Sequence, residues 1–175
     1  MNLEKGLNRN IHTDYIFCFL RNFDVSSAIW VLYMVYRGLP LWQIGLVEGI
    51  FHVASFLFEM PSGALADLVG RKKVMFWGRI FAAVSALVLL FSVELWQFIL
   101  GFVLAALGYN LNSGSEEALV YDSLKQLHKE QEYVKVNSRM NVLIEIAAGA
   151  GTFLGGILAE RSFAACYLAA AVVAG

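Results

Sequence analysis

The sequence is poor in charged residues: Asp, Glu, Lys and Arg make up 15% of its 175 residues, whereas hydrophobic residues make up 59%. Typical soluble domains have about 25% charged and at most about 50% apolar residues. A soluble fold of this size could not cover its surface with polar groups from such a composition. We therefore predict a protein embedded in a lipid bilayer, which is its first expected partner.

Several chemical motifs are missing as well. The two cysteines, Cys18 and Cys166, lie far apart in apolar stretches, which indicates neither a disulfide framework nor a metal site. The three histidines lie in separate segments, and the sequence has no His-Glu-x-x-His pair, no Gly-x-Ser-x-Gly turn and no Gly-x-x-x-x-Gly-Lys-Ser/Thr loop. These absences argue against an enzyme and against an ATP-driven pump. We expect no metal and no cofactor.

A cleavable signal peptide is not indicated, because residues 2–14 are polar and the next apolar run lacks a small-residue cleavage pattern. The sequence does contain apolar stretches of close to the ~20 residues that cross a ~30 Å hydrocarbon core. They cover residues 15–36, 41–64, 74–93, 95–121 and 142–158, and a sixth begins at 162 and is cut off at 175. This pattern predicts an all-α, polytopic membrane protein with about six transmembrane helices.

Lysine and arginine are distributed unevenly between the connections of these stretches. Eight lie in the segments on one side, whereas the other side holds only Arg37 and Arg161. The eight are Lys5, Arg9, Arg71, Lys72, Lys73, Lys125, Lys129 and Lys135. Because positive loops stay inside, we predict a multi-pass plasma-membrane protein with a cytoplasmic N-terminus. The same rule explains the basic runs without a nucleic-acid partner.

The most specific motif lies between the second and third stretches. Residues 63–72 read Gly-Ala-Leu-Ala-Asp-Leu-Val-Gly-Arg-Lys, or G-x-L-A-D-x-x-G-R-K. This run resembles the signature of the major facilitator superfamily, found in the cytoplasmic loop between that family's second and third helices. Leu68 stands where the family often has arginine. A plain topology signal is the alternative interpretation of the basic triplet at 71–73.

A second run, residues 113–124, reads S-G-S-E-E-A-L-V-Y-D-S-L. It is similar to the fourth helix of bacterial, exporter-like members of the superfamily. The resemblance implies a cytoplasmic gate in which Asp67, Arg71 and Asp122 form a charge cluster in the outward-open state. Gly63 and Gly70 would allow tight turns and close helix approach. The whole chain, residues 1–175, then corresponds to an N-terminal six-helix half of the family fold, with the C-terminal half absent.

Residues 151–156, Gly-Thr-Phe-Leu-Gly-Gly, resemble a fifth-helix motif associated with antiporters, with Thr152 in place of proline and Ala147 in place of an upstream glycine. Gly151, Gly155 and Gly156 are also small enough to let another helix pack closely. Helix packing and antiport explain this fragment about equally well. The fragment therefore favours export over import without deciding between them.

Ionisable groups inside membrane helices are costly and mark functional sites by default. Helical spacing aligns polar stripes in three stretches: Glu48, His52, Ser55 and Glu59; Asn110, Ser113, Glu117 and Tyr121; Ser138, Asn141, Glu145, Gly149 and Thr152. The candidate proton or substrate cavity comprises Arg21, Asp24, Glu59, Asn110, Glu117, Asn141 and Glu145. Structural alternatives exist for several of these residues. Arg21 and Asp24 could neutralise each other, and Glu48 could be hydrated at the outer interface. His52 could be a packing residue, and Glu59 could brace the loop.

These features predict a secondary transporter that moves a small molecule across the membrane by alternating access, driven by an ion gradient and favouring efflux. We hypothesise that Glu145 or Asp24 binds the coupling proton. The expected partners are a small-molecule substrate, protons, and either a missing C-terminal half or a second copy. The alternative is a non-transporting membrane scaffold or an inactive remnant of a transporter.

Overall fold

The computed structural model describes residue 13 and residues 15–174 of the chain. The described part is a bundle of α-helices joined by short turns, and no strand occurs in it. The helices are α1 (15–22), α2 (Trp30–Tyr36), α3 (Leu41–Val69), α4 (Arg71–Phe91), α5 (Leu95–Gln126), α6 (Tyr133–Arg161) and α7 (Phe163–Ala174), with a 3₁₀ turn at Glu130–Glu132 before α6. The prediction of an all-α fold is confirmed.

Four helices in the described part are long and apolar enough to cross a membrane. They are α3, α4, α5 and α6, the last counted together with the short turn before it. Several helices extend beyond the apolar stretches of the sequence: α3 continues to Val69 and α6 begins at Tyr133. These additional turns contain the polar residues at the ends of the bundle. A helix can continue beyond the apolar stretch into the headgroup layer, because its backbone hydrogen bonds are formed within the helix.

The first apolar stretch, residues 15–36, was predicted as one continuous transmembrane helix, and this prediction is wrong. Residues 23–29 are not helical and separate α1 from α2. The Asp24 carboxylate accepts hydrogen bonds from the backbone N–H and the hydroxyl of Ser26, at 2.8 and 2.6 Å, and the Ser27 hydroxyl donates to the Asp24 carbonyl. Such local side-chain bonds compete with the helical hydrogen-bond ladder. In residues 24–27 they provide hydrogen-bond partners for backbone groups that are not in a helix.

The interrupted segment packs on the glycines of α6. A Cβ atom added at Gly155 would lie 2.1 Å from the Val25 carbonyl oxygen, and one at Gly151 would lie 2.9 Å from the Asp24 backbone. A Cβ at Gly156 would meet no described atom within 4 Å. The absence of a side chain at Gly151 and Gly155 therefore lets the backbone of residues 24 and 25 pack directly on α6. Gly156 lies on another face of α6 and makes no such contact.

The helix pair α2 and α4 is joined by a buried polar contact at one end of the bundle. The Tyr33 hydroxyl donates to the Leu90 carbonyl at 2.8 Å, and Arg37 donates to both the Tyr33 oxygen and the Leu90 carbonyl. Tyr33 is itself buried among Met34, Phe98 and Tyr167. This contact satisfies a carbonyl in the last turn of α4, which has no partner within the helix.

The two cysteines are buried in separate hydrophobic clusters. Cys166 packs with Tyr33 and Tyr167, whereas Cys18 packs with Val120 and Met140. Both behave as small apolar residues of the helix interfaces.

Candidate functional site

The first candidate site is a charge cluster at the end of the bundle where α3, α4 and α5 meet. Arg71 Nε lies 3.0 Å from Asp122 Oδ2, and Arg71 Nη2 lies 3.4 Å from Asp67 Oδ1. Asp67 and Arg71 are four residues apart on either side of the turn at Gly70, and Asp122 comes from the last turns of α5. One guanidinium therefore connects three helices.

The position of the basic residues is unfavourable with respect to the helix dipole of α4. Arg71, Lys72 and Lys73 occupy the first turn of α4, where the positive end of the helix dipole disfavours cations. The carboxylates of Asp67 and Asp122 compensate this unfavourable placement for Arg71. A fold selected only for stability would place acids in that turn, so the triplet indicates a role in topology or in function.

The two motif glycines differ in their conformation. Gly70 has φ +101°, in the region that favours glycine, and it forms the turn between α3 and α4. Gly63 lies inside α3, and a Cβ added to it would meet no described atom within 4 Å. The expectation that Gly63 forms a turn or a close helix contact is therefore corrected, because α3 continues past it for six residues to Val69.

The second candidate site is a buried charge cluster inside the bundle. Arg21 of α1 forms an ion pair with Glu116 of α5, and their side chains are 17% and 3% exposed. Arg79 of α4 interacts electrostatically with Arg21, Asp24 and Glu116. Its guanidinium also donates to the Val173 carbonyl of α7 and lies 5.7 Å from the centroid of the Phe17 ring. Two cations and two anions thus meet where five parts of the chain converge.

A cavity of about 280 Å³ adjoins this cluster. Its walls include Arg21, Asp24, Arg79 and Asn112. The aromatic residues Trp30, Phe51, Phe102, Tyr109 and Tyr167 complete much of the lining. The Asn112 amide nitrogen donates to the Gly108 carbonyl, whereas its buried oxygen has no hydrogen-bond donor in the described part of the chain. The cavity therefore combines charged groups and an available acceptor with aromatic walls.

The other predicted cavity residues lie elsewhere. Asn110 is buried and donates to the Ser55 hydroxyl at 2.8 Å, which joins α5 to α3. Glu59, Asn141 and Glu145 are exposed on α3 and α6, away from the buried cluster. The side chain of Glu117 lies outside the described residues. Of those predicted cavity residues whose side chains the structure describes, only Arg21 and Asp24 come together at the cavity.

Two charged residues of the buried cluster were not predicted from the sequence. Arg79 is an ionisable group inside the third apolar stretch, so the criterion that selected Glu145 would also have found it. Glu116 lies in the 113–124 run, one position before the residue selected by the polar stripe. Asn112 and Glu116 are four apart and both buried, which identifies a second polar face of α5.

Together, the long apolar helices, the interrupted first stretch and the charged groups at membrane depth define a multi-pass helical membrane protein. The model of the Major Facilitator Superfamily matches residues 15–175. The chain belongs to this superfamily. The resemblance inferred from the 63–72 and 113–124 runs is thereby confirmed.

Individual relatives carry transporter names. The inner membrane transport protein YajR of Escherichia coli is 27% identical over 139 residues, which cover 79% of this chain and 29% of that protein. The uncharacterized MFS-type transporter YxaM of Bacillus subtilis is 34% identical over 115 residues, covering 59% of this chain and 26% of that protein. The uncharacterized MFS-type transporter MJ1560 of Methanocaldococcus jannaschii is 26% identical over 156 residues, covering 88% and 39%. The chain thus spans well under half the length of these relatives.

Proposed function

We propose that the chain forms one half of a secondary transporter that moves a small molecule across the membrane by alternating access. Family membership and the relatives' names support transport as the activity. The observation that carries the proposal is the contact of Arg71 with carboxylates of two other helices at one end of the bundle. The other half would be a further segment or a second copy.

The energetics of the Arg71 cluster suit a gate. The Asp67 side chain is 71% exposed and the Asp122 side chain 45% exposed. Exposed ion pairs of this kind contribute only about 0–1 kcal/mol to stability. The cluster can therefore break and reform without threatening the fold. We propose that it latches the cytoplasmic side when the opposite side is open.

We predict that Asp122→Asn shifts the protein away from the latched state and lowers substrate flux up to about fivefold, a change of at most about 1 kcal/mol in the conformational equilibrium. Flux in reconstituted vesicles and spin-label distances across this end of the protein measure the two effects. Glu130→Gln removes an exposed acid outside the cluster and serves as the control. Equal label distances in Asp122→Asn and the control would refute the latch.

We further propose that Asp24 or Glu145 couples transport to protons, with export as the favoured direction. Asp24 lies in the cavity wall beside the cluster, and Glu145 is exposed on an apolar helix that is long enough to span the membrane. Ionisable groups inside membrane helices are costly and mark functional sites by default, which supports both carboxylates as candidates.

We expect at least one of Asp24→Asn and Glu145→Gln to abolish uptake or release driven by a pH gradient. The asparagine at 24 can still accept the hydrogen bond from the Ser26 backbone, so this change isolates the charge from the local fold. Counterflow, which needs no proton gradient, should persist in the affected variant. Unchanged proton-driven flux in both variants would eliminate the coupling proposal.

A further inference from the structure

A groove on the outer surface of the bundle lies between α1 and α6, apart from the gate and the buried cluster. It has a volume of about 640 Å³. Its lining residues are Tyr15, Lys135, Ser138, Arg139, Val142 and Leu143. The lining is therefore cationic at the start of α6 and apolar further along it.

The two cations of the groove lie one helical turn apart. Lys135 and Arg139 are both exposed, and among residues 15–174 neither forms an ion pair with an acid. Like charges four residues apart on a helix repel each other. An anion bound between them would remove this repulsion.

The depth of these residues matches the layers of a bilayer. At 1.5 Å per residue, Arg139 lies about 4.5 Å and Lys135 about 10 Å before Val142, where the apolar part of α6 begins. Each polar headgroup layer is about 5–8 Å thick. Arg139 therefore lies within the headgroup layer and Lys135 just outside it, where a long flexible side chain is still close to the lipid phosphates, while Val142 and Leu143 lie beside the acyl chains. Tyr15 is placed where aromatic rings favour the interface.

We propose that this groove binds an anionic phospholipid of the surrounding bilayer. Lys135 and Arg139 hold the headgroup phosphate, and Val142 and Leu143 contact the first part of an acyl chain. The groove continues from cations into apolar residues, which favours a lipid over a free phosphate ion. Basic pockets at the cytoplasmic ends of membrane helices recognise anionic headgroups in this way. The proposal does not depend on transport.

The test is lipid retention by the purified protein, measured by native mass spectrometry in detergent. Phosphatidylglycerol and phosphatidylcholine with the same acyl chains are the probes. The wild-type protein should retain phosphatidylglycerol preferentially. The double variant Lys135→Gln/Arg139→Gln should lose about twenty-five-fold in that preference, since each cation near the surface contributes about fivefold. The matched control, Lys125→Gln/Lys129→Gln, removes two exposed cations outside the groove and should change it less than twofold.

Two further outcomes decide the proposal. Glycerol 3-phosphate, which has the headgroup phosphate but no acyl chains, should not displace the bound lipid at millimolar concentration. Displacement by glycerol 3-phosphate would identify a free-phosphate site and overturn the lipid assignment. Equal losses in the groove variant and the control variant would reduce the effect to net charge and would also overturn it. Thermal midpoints in phosphatidylcholine confirm that both variants fold.

Discussion

Gly155→Ala should destabilise the protein by roughly 2–3 kcal/mol, the upper part of the range of about 1–3 kcal/mol for overpacking. The new methyl group would lie 2.1 Å from the Val25 carbonyl oxygen. That oxygen belongs to the backbone of the interrupted segment and cannot move away like the end of a flexible side chain. The loss exceeds the ~1 kcal/mol that alanine gains over glycine in a helix.

Gly156→Ala is the matched control for this prediction. Gly156 lies in the same helix, and a Cβ there meets no described atom within 4 Å. It should be neutral or should gain up to ~1 kcal/mol from helix propensity. Thermal unfolding of both variants in the same detergent gives the comparison. If the two midpoints agree, close packing of the first stretch on α6 is not a determinant of this fold.

Breaking the Arg21–Glu116 pair is the second large effect. Glu116→Met should cost about 3–5 kcal/mol, because it leaves the buried Arg21 guanidinium without its closest anion. Arg21→Met should cost a similar amount for the opposite reason. The double variant Arg21→Met/Glu116→Met restores charge balance and should recover most of the loss, since apolar replacements of buried ion pairs are often neutral.

A double-mutant cycle of unfolding free energies measures this coupling. Glu48→Gln serves as a control, because Glu48 lies 4.0 Å from His52 in an exposed pair and should change stability by less than about 1 kcal/mol. Additive losses in the two single variants would show that the buried charges do not act as a pair. Flux through a stable double variant separates stability from function: a folded but inactive protein would place the pair in the transport cycle.

The buried cluster also bears on how the cavity could work. The two cations and two anions of the cluster lie on different elements and balance one another. A proton or a charged solute that entered the cavity would disturb that balance.

The sequence predicted the cluster of Asp67, Arg71 and Asp122 more fully than the residues at the cavity. Asp67 and Arg71 lie close together in one motif, and Asp122 lies at the end of the next hairpin, so short connections restrict where these residues can meet. The cavity prediction was less complete. Arg21 and Asp24 lie at its wall, but their main partners, Glu116 and Arg79, come from distant positions.

Polar stripes also gave only part of the answer. They correctly group residues on one helix face, because the spacing of 3.6 residues per turn is local. They do not state which face meets the bundle. Glu145 and Asn141 share a stripe that is exposed in the structure, whereas the buried face of α5 carries Asn112 and Glu116.

By itself, the sequence determined the membrane environment, the approximate extent of the apolar helices and the family of the chain. Composition, length and motif spacing are properties of single segments, so they need no knowledge of packing. Only the tertiary structure decided the interruption at residues 23–29, the fit of that segment on Gly151 and Gly155, and the pairing of Arg21 with Glu116. These features depend on the rotation and separation of helices that are distant in sequence, and no local pattern fixes either quantity.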